Sequence, residues 1–262
     1  MRSRLLVDQI REHTILCRDL NRDSLVIDLG MNDGRFAREI HAKYGCRVLG
    51  VEPNPTLAAG IGGCPPVSCD NLAIAEAEGV VRFRIDADPE ASRIVPPGDG
   101  PDQSNTTPDC PVLTVPCMPL TAFFRARGIT RADLLKVDIE GAELALFEGH
   151  DFNSLLQVQQ ISVEFHAFLD PAQRPRVKRI IARMRHSGFH YIDFSGTWKD
   201  VLFINERSVK LRAVEKAGLA YRKYANGLPA LVRKIRSEGS RTVARKIVAR
   251  RFARPNGQAG VE

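Results

Sequence analysis

The sequence lacks an apolar run that could cross a membrane, since no stretch approaches the roughly 20 residues that a spanning helix needs. The first dozen residues already contain acids and have no apolar core, so we expect no secretory signal peptide. The six cysteines form no C-x-x-C pair and have no zinc spacing with the histidines. This spacing indicates that the cysteines stay reduced as free thiols, and we therefore expect a cytoplasmic protein.

Positive charge is concentrated near the C-terminus. The 262-residue chain has a net charge of +7, but residues 207–254 hold 15 lysines and arginines against two acids, a net +13 that leaves about −6 for the remainder. We therefore divide the chain into an amphipathic helical lead-in at residues 1–20, a main domain at residues 21–206 and a basic, helical and partly disordered tail at residues 207–262.

The tail is the segment that suggests a macromolecular partner. Residues 241–252 place Val243, Ile247 and Phe252 among arginines, which predicts a basic amphipathic helix. Such a helix suits an anionic membrane surface, a partner protein or nucleic acid, and it is also compatible with a merely solvated extension. The tail has only three aromatic residues for stacking on bases, so we favour peripheral association with the inner membrane surface over nucleic acid.

The stretch VIDLGMNDG at residues 26–34 predicts a buried strand, a tight turn and the start of a helix. In an open α/β sheet, ligands bind in the crevice beyond the carboxyl ends of the strands. Asp28 and Asp33 flank the glycine turn and would repel a pyrophosphate, whereas they suit a ligand with positive charge. S-adenosylmethionine, which has a sulfonium and an ammonium group, is such a ligand. An ordinary strand-to-helix turn with a capping aspartate is the alternative.

Alternating strands and helices follow from residue 25 onward and predict a doubly wound α/β sheet whose closing antiparallel pair makes it mixed. Glu52 ends the second strand about 20 residues after the first glycine, where an acid can accept hydrogen bonds from ribose hydroxyls. Residues 66–75 and 80–86 are predicted to pair as a hairpin around the turn at residues 76–79. The composition of the polar loop at residues 88–111 predicts a lid, a substrate-binding loop or a disordered insert.

Lys136-Val-Asp-Ile-Glu-Gly-Ala-Glu143 is the second diagnostic stretch. It places Asp138 at the carboxyl end of a strand and Glu140 and Glu143 around a glycine at the start of a helix. Three acids beside buried apolar sequence need a ligand, a capping role or solvent.

Together, the segments VIDLGMNDG, VLGVEPNP, DNLAIAEAEG, LLKVDIEGAE and ISVEFH resemble the ordered motifs of the FkbM-type S-adenosylmethionine-dependent methyltransferases. The resemblance covers about residues 21–205. It implies a Rossmann-like class I methyltransferase fold with a seven-stranded sheet. It also implies methyl transfer, usually to a hydroxyl oxygen of a sugar or natural product.

The resemblance assigns roles to residues of both motifs. Cofactor contacts would come from the residues of the first strands and their turns: Asp28, Gly30, Asn32, Gly34, Glu52 and Asn71. The first residues of that set would contact the methionine part, Glu52 the ribose and Asn71 the adenine. Asp138 and Glu140 would lie where the methyl donor meets the acceptor.

Methylating a hydroxyl requires in-line positioning and a base that removes the acceptor proton. His166, at the end of the fifth strand, is the preferred base because its ordinary pKa suits neutral pH, and Asp138 is the competitor. Asp138, Glu140, Glu164 and His166 offer metal ligands, but their spacing matches no recognised signature and we assign no metal from the sequence. An N-methyltransferase acting on protein or nucleic acid, and a methyltransferase-like binding module that acts through its tail, are the competing functions.

Overall fold

The centre of the protein, described by a computed structural model, is a mixed seven-stranded β-sheet. The structure describes residues 6–63, 65–86, 92–95, 110–149, 152–167 and 170–223. The strands are β1 Val7–Ile10, β2 His13–Leu16, β3 Leu25–Leu29, β4 Arg47–Val51, β5 Val67–Asp70, β6 Ala73–Ile74, β7 Gly79–Arg84, β8 Arg93–Ile94, β9 Val112–Met118, β10 Leu134–Val137, β11 Gln160–Val163, β12 Phe189–Asp193 and β13 Val201–Asn205. The helices are α1 Arg35–Tyr44, α2 Pro55–Ile61, α3 Leu120–Ala126, α4 Glu143–Glu148, α5 Phe152–Leu155 and α6 Arg174–His186, preceded by a 3₁₀ turn at Pro171–Gln173.

The order of the seven strands is β12-β13-β11-β10-β3-β4-β5. The five strands from β11 to β5 are parallel, whereas β13 is antiparallel to β11 and β12 is antiparallel to β13. This topology confirms the predicted mixed, doubly wound class I methyltransferase sheet. The central strands β3 and β10 lie between helical layers and are buried on both faces, which explains their continuous apolar sequence.

Helices cover both faces of the sheet. On one face, α1 buries Phe36, Ala37 and Ile40 against β3 and β4. On the other face, a larger core includes apolar residues of α3, α4, α5 and α6. Because both layers start from loops at the carboxyl ends of parallel strands, the polar residues in those loops are gathered at one edge of the sheet.

The predicted N-terminal helix is wrong: β1 and β2 form an antiparallel hairpin with Arg11 and Glu12 at its turn. Apolar residues that had suggested helical spacing are buried from two strands instead, including Ile10 and Ile15. Polar contacts with the main domain also fix the hairpin, since Leu16 exchanges two hydrogen bonds with the Gln160 side chain (2.7 and 2.8 Å). Tertiary partners therefore override the local periodicity.

The predicted hairpin within residues 66–86 is also wrong. β5 joins the edge of the main sheet, while β6 and β7 each pair with β9 in a separate four-stranded sheet, ordered β6-β9-β7-β8. The predicted lid at residues 88–111 lies largely outside the described residues.

Residues 213–223 are helical and pack against β12, β13 and the hairpin through the buried Leu219. Arg18 forms an ion pair with Glu215 and thereby links this helix to the N-terminal segment. The predicted basic helix at residues 241–252 lies outside the described residues. Within the described part of the chain, no helix has the length and apolar character needed to cross a membrane.

Candidate active site

A cleft of about 580 Å³ lies at the carboxyl ends of β3, β4, β10 and β11. This volume is in the range of small-molecule sites. The chain after β5 and the small sheet contribute apolar side chains to its wall, including Leu72, Ile74 and Phe83. The chain after β10 and β11 contributes carboxylates. The cleft therefore combines an apolar wall with an acidic one.

Gly30 occupies the tightest backbone contact of the cleft. Its φ is +75°, and a Cβ built on it would lie 1.8 Å from the carbonyl oxygen of Asp138. Only glycine accommodates both the left-handed conformation and this approach of two loops. The amides of Gly30 and Met31 both donate to the carbonyl oxygen of Val51 at 3.1 Å, so the turn is held against two neighbouring strands.

Asp28, which the sequence predicts to contact the cofactor, lies beneath this turn and does not line the cleft. Its side chain has no exposed surface, and its Oδ1 lies 3.2 Å from Nζ of the buried Lys136. Lys136 also donates to the carbonyl oxygen of Gly30 (2.6 Å) and lies 3.5 Å from Oδ2 of Asp138. Burial alone would lower the pKa of Lys136, but the charges of Asp28 and Asp138 raise it. Asp28 thus supports a buried cation that joins the two predicted motifs.

Glu52 lies at the cleft, as its predicted ribose role requires. One carboxylate oxygen accepts the amide of Asn32 (2.8 Å) and the other accepts the amide of Asn54 (2.9 Å). Burial raises the pKa of Glu52. Asn32 also lines the cleft and adopts a left-handed conformation with φ +50°. The turn after β3 and the end of β4 are therefore one connected wall.

Gly34 and Asn71 do not line the cleft, and their contacts with the cofactor stay predictions. Gly34 has φ +74° and is the N-cap residue of α1. The side-chain amide of Asn71 donates to the carbonyl oxygens of Glu52 (2.8 Å) and Pro53 (2.9 Å). Both residues fix the backbone on either side of the cleft wall.

The three predicted catalytic residues meet around the imidazole of His166. Its Nε2 lies 3.0 Å from Oε2 of Glu140 and 3.9 Å from Oδ1 of Asp138. Its Nδ1 lies 3.0 Å from Oε1 of the buried Glu143. The sequence placed these residues in separate motifs, and the adjacent carboxyl ends of β10 and β11 bring them together.

The predicted base role of His166 conflicts with these contacts. Burial alone would lower the pKa of His166, but the hydrogen bonds with Glu140 and Glu143 raise it to about 11. At neutral pH the imidazole is then protonated and has no lone pair with which to take a proton. For the competitor Asp138, burial would raise the pKa, but Lys136 and His13 lower it well below its ordinary value.

Two further residues lie at the acidic wall: Glu164, which the sequence named only as a possible ligand, and His13, to which it assigned no role. Oε1 of Glu164 lies 3.9 Å from Nε2 of His166 and 3.8 Å from Nζ of Lys199, and burial raises its pKa to about 7. His13 comes from the N-terminal hairpin. Its Nε2 lies 3.6 Å from Oδ2 of Asp138, and its Nδ1 lies 3.1 Å from Oγ of Ser162. Glu164 could be found from the sequence because it alternates with His166 along the chain and so shares its strand face. No motif pointed to His13.

A comparison with protein families shows to which family the chain belongs. The profile of the methyltransferase FkbM domain matches residues 28–191, which is more than half of the chain and includes the second diagnostic motif and all but the first two residues of the first. The chain belongs to the FkbM methyltransferase family. In this FkbM methyltransferase, the matched segment begins at Asp28 and so leaves out the hairpin that supplies His13.

Two solved structures resemble the FkbM methyltransferase weakly. One is a complex of the Haloferax volcanii Trm112 methyltransferase activator with a provisionally assigned methyltransferase, at 10% identity and a TM-score of 0.31, covering 71% of this chain and 84% of that one. The other is a provisionally assigned methyltransferase from an antibiotic biosynthesis pathway of Anabaena variabilis, at 11% identity and a TM-score of 0.31, covering 89% and 85%. No curated protein sequence matches the chain. At these scores the two structures carry no argument about function.

Proposed function

We propose that this methyltransferase uses S-adenosylmethionine to methylate a hydroxyl oxygen of a sugar, a glycan or another polyhydroxylated natural product. The proposal rests on the contact between the Gly30 turn and the acidic wall. The backbone of Gly30 touches that of Asp138, so a donor held at the turn is adjacent to the carboxylates.

The residues of the cleft fit such a cofactor. Glu52 keeps free lone pairs beside the two amides that it accepts and can receive hydrogen bonds from the hydroxyls of a ribose. Leu72, Ile74 and Phe83 offer an apolar wall for a flat base. The anionic residues suit the positive charges of the ligand. When bound, S-adenosylmethionine supplies an electrophilic methyl group.

The acidic wall suits a hydroxylated acceptor. Ionised carboxylates only accept hydrogen bonds, so Asp138, Glu140 and Glu164 can orient a molecule that presents several hydroxyl groups. We assign proton removal from the acceptor to Glu140 or Glu164, because burial raises the pKa of both carboxylates, and we assign to Asp138 the orientation of the acceptor. A protonated His166 would donate a hydrogen bond to that wall and hold the acceptor or its carboxylate neighbours in place.

A further part of the proposal is that the tail associates peripherally with an anionic membrane surface. It rests on the composition of residues 207–254, because a basic segment is attracted to acidic lipids. A glycan acceptor on a lipid carrier would be consistent with a cytoplasmic enzyme that docks at the inner face of the membrane. Deleting residues 224–262 should release the protein from anionic vesicles while leaving cofactor binding intact.

Calorimetry with S-adenosylmethionine tests the proposed cofactor. The wild-type protein should bind it, and Glu52→Gln should weaken binding on the order of tenfold, because an amide replaces the carboxylate that faces the ribose. Glu39→Gln is a matched control, since Glu39 is exposed on α1 away from the cleft. Absence of binding by the folded wild type, or equal affinity in Glu52→Gln and Glu39→Gln, would refute the cofactor assignment. Mass spectrometry of metabolites and glycans after incubation with a methyl-labelled cofactor then identifies the acceptor and distinguishes oxygen from nitrogen methylation.

A further inference from the structure

The space in front of His166 is bounded by oxygen atoms of three different carboxylates. Nε2 of His166 lies 3.0 Å from Oε2 of Glu140, 3.9 Å from Oδ1 of Asp138 and 3.9 Å from Oε1 of Glu164. One ligand atom each from Asp138, Glu140 and His166 can be chosen so that all lie within 4.8 Å of one another. Atoms about 2.1 Å from a metal ion are roughly 3 Å apart when adjacent in an octahedron and roughly 4.2 Å apart when opposite. The observed separations are of this size.

The carboxylate of Asp138 presents only one oxygen to this space. Its Oδ2 faces the other side, at 3.5 Å from Nζ of Lys136 and 3.6 Å from Nε2 of His13. Its Oδ1 is buried and has no hydrogen-bond partner among the described residues. A buried carboxylate oxygen without a hydrogen-bond partner is costly, and this one lies 3.9 Å from Nε2 of His166.

Glu143 orients the imidazole of His166 from its Nδ1 side. Glu143 is 1% exposed and lies 3.0 Å from Nδ1 of His166, and it also accepts the amides of Ile139 and Gly141. A carboxylate that receives the far N–H of a histidine fixes the tautomer in which Nε2 has the free lone pair. This is the carboxylate–histidine arrangement found behind metal ligands. Glu143 therefore acts as a positioning residue.

We propose that Asp138, Glu140 and His166 bind one divalent first-row transition-metal ion, of the kind represented by Mn²⁺. One nitrogen and two or three oxygen ligands suit such ions better than Mg²⁺, which prefers oxygen alone. The ion would bind Nε2 of His166 and would compensate the charge of the adjacent carboxylates. Binding rests on the geometry of the described residues. Its consequence rests on the proposed function, because a bound ion next to the cofactor turn would acidify the hydroxyl of an acceptor.

Titration of the chelator-treated full-length protein with Mn²⁺, followed by calorimetry and electron paramagnetic resonance, tests the site. One equivalent should bind, and pulsed spectra should show a nitrogen coupling from the imidazole. Asp138→Asn and Glu140→Gln should each weaken Mn²⁺ binding by about tenfold or more, and Glu143→Gln should weaken it on the order of tenfold through the orientation of His166. Glu39→Gln is the control with unchanged affinity. Circular dichroism checks that each variant is folded. If Asp138→Asn unfolds, the test relies on Glu140→Gln, because Glu140 is partly exposed.

Three results would overturn the metal site. They are no Mn²⁺ binding by the wild type, binding without a nitrogen coupling, and equal Mn²⁺ affinity in the wild type and in the folded site variants. Calorimetry with S-adenosylmethionine in the presence of chelator separates this proposal from the function. If the cofactor binds and Mn²⁺ does not, only the metal site fails, whereas Mn²⁺ binding without cofactor binding contradicts the proposed function alone.

Discussion

Replacing Gly30 with alanine should damage both the stability and the cofactor site of the protein. An alanine at φ +75° costs about 1–2 kcal/mol relative to glycine, because its Cβ crowds the backbone in the left-handed region. The same Cβ would lie 1.8 Å from the carbonyl oxygen of Asp138 and 2.9 Å from its carbonyl carbon. Ordinary contacts begin near 3.5 Å, so the two loops must separate by roughly 1.7 Å. Overpacking of this kind costs about 1–3 kcal/mol, which gives about 2–5 kcal/mol in total.

Two other glycines separate these contributions. Gly128 has φ +63° and nothing within 4 Å of a built Cβ, so Gly128→Ala should destabilise the protein by only the conformational cost of about 1–2 kcal/mol. Gly60 lies within α2, also with open space around it. Gly60→Ala should stabilise the protein by about 0.5–1 kcal/mol, because alanine favours the helix.

Urea unfolding measures the free energy of unfolding of the three glycine variants, with the slope against urea concentration held equal to that of the wild type. Calorimetry measures their affinity for S-adenosylmethionine. Only Gly30→Ala should lose cofactor affinity, since the displaced loops contain Asn32 and Asp138. If Gly30→Ala costs no more than Gly128→Ala and binds the cofactor as the wild type does, the close approach of the two loops is not what requires glycine at this position.

Two predictions concern charges that hold the fold together. Lys136→Met should cost about 3–5 kcal/mol in urea unfolding, because Asp28 is left as an unpaired buried charge, and the double variant with Asp28→Asn should recover part of that loss. An equal loss in both would contradict a charge effect. Hydrogen bonds from Arg18 and Arg212 lower the pKa of Glu215 to about 2. Because this folded-state pKa is depressed, the stabilisation is complete above the ordinary value and is lost as the pH falls from about 4.5 towards 2. The melting-temperature difference between wild type and Glu215→Gln should therefore shrink over this interval, and a constant difference would argue against the ion pairs.

The sheet was predictable because its strands are encoded locally. Ile27 and Leu29, like Leu135 and Val137, form short apolar runs that end in an acid and a glycine turn, and parallel strands bring such ends to one edge. The meeting of Asp138, Glu140 and His166 followed from the same rule. The role of Asp28 did not, because its pairing partner Lys136 lies 108 residues away and the sequence does not show which side chain fills the space beneath a turn.

The N-terminal region shows why local periodicity fails. Ile10 and Ile15 satisfy a helical spacing, yet hydrogen bonds with Gln160 and Asp200 select a hairpin. Those partners lie more than 140 residues away in the sequence. The same error concealed His13, whose position next to Asp138 depends entirely on the hairpin.

The hairpin also has a consequence for how acceptor choice can change in the course of evolution. Its turn residues Arg11 and Glu12 line the cleft, while its strands are held by side-chain contacts with the sheet and lie outside the family-matched segment. Extra residues inserted at this tip would reshape the entrance without altering the pairing of β1 with β2 or the order of the main sheet. The shape of the entrance can thus diverge through an N-terminal module, while the Gly30 turn on the other side of the cleft stays constant.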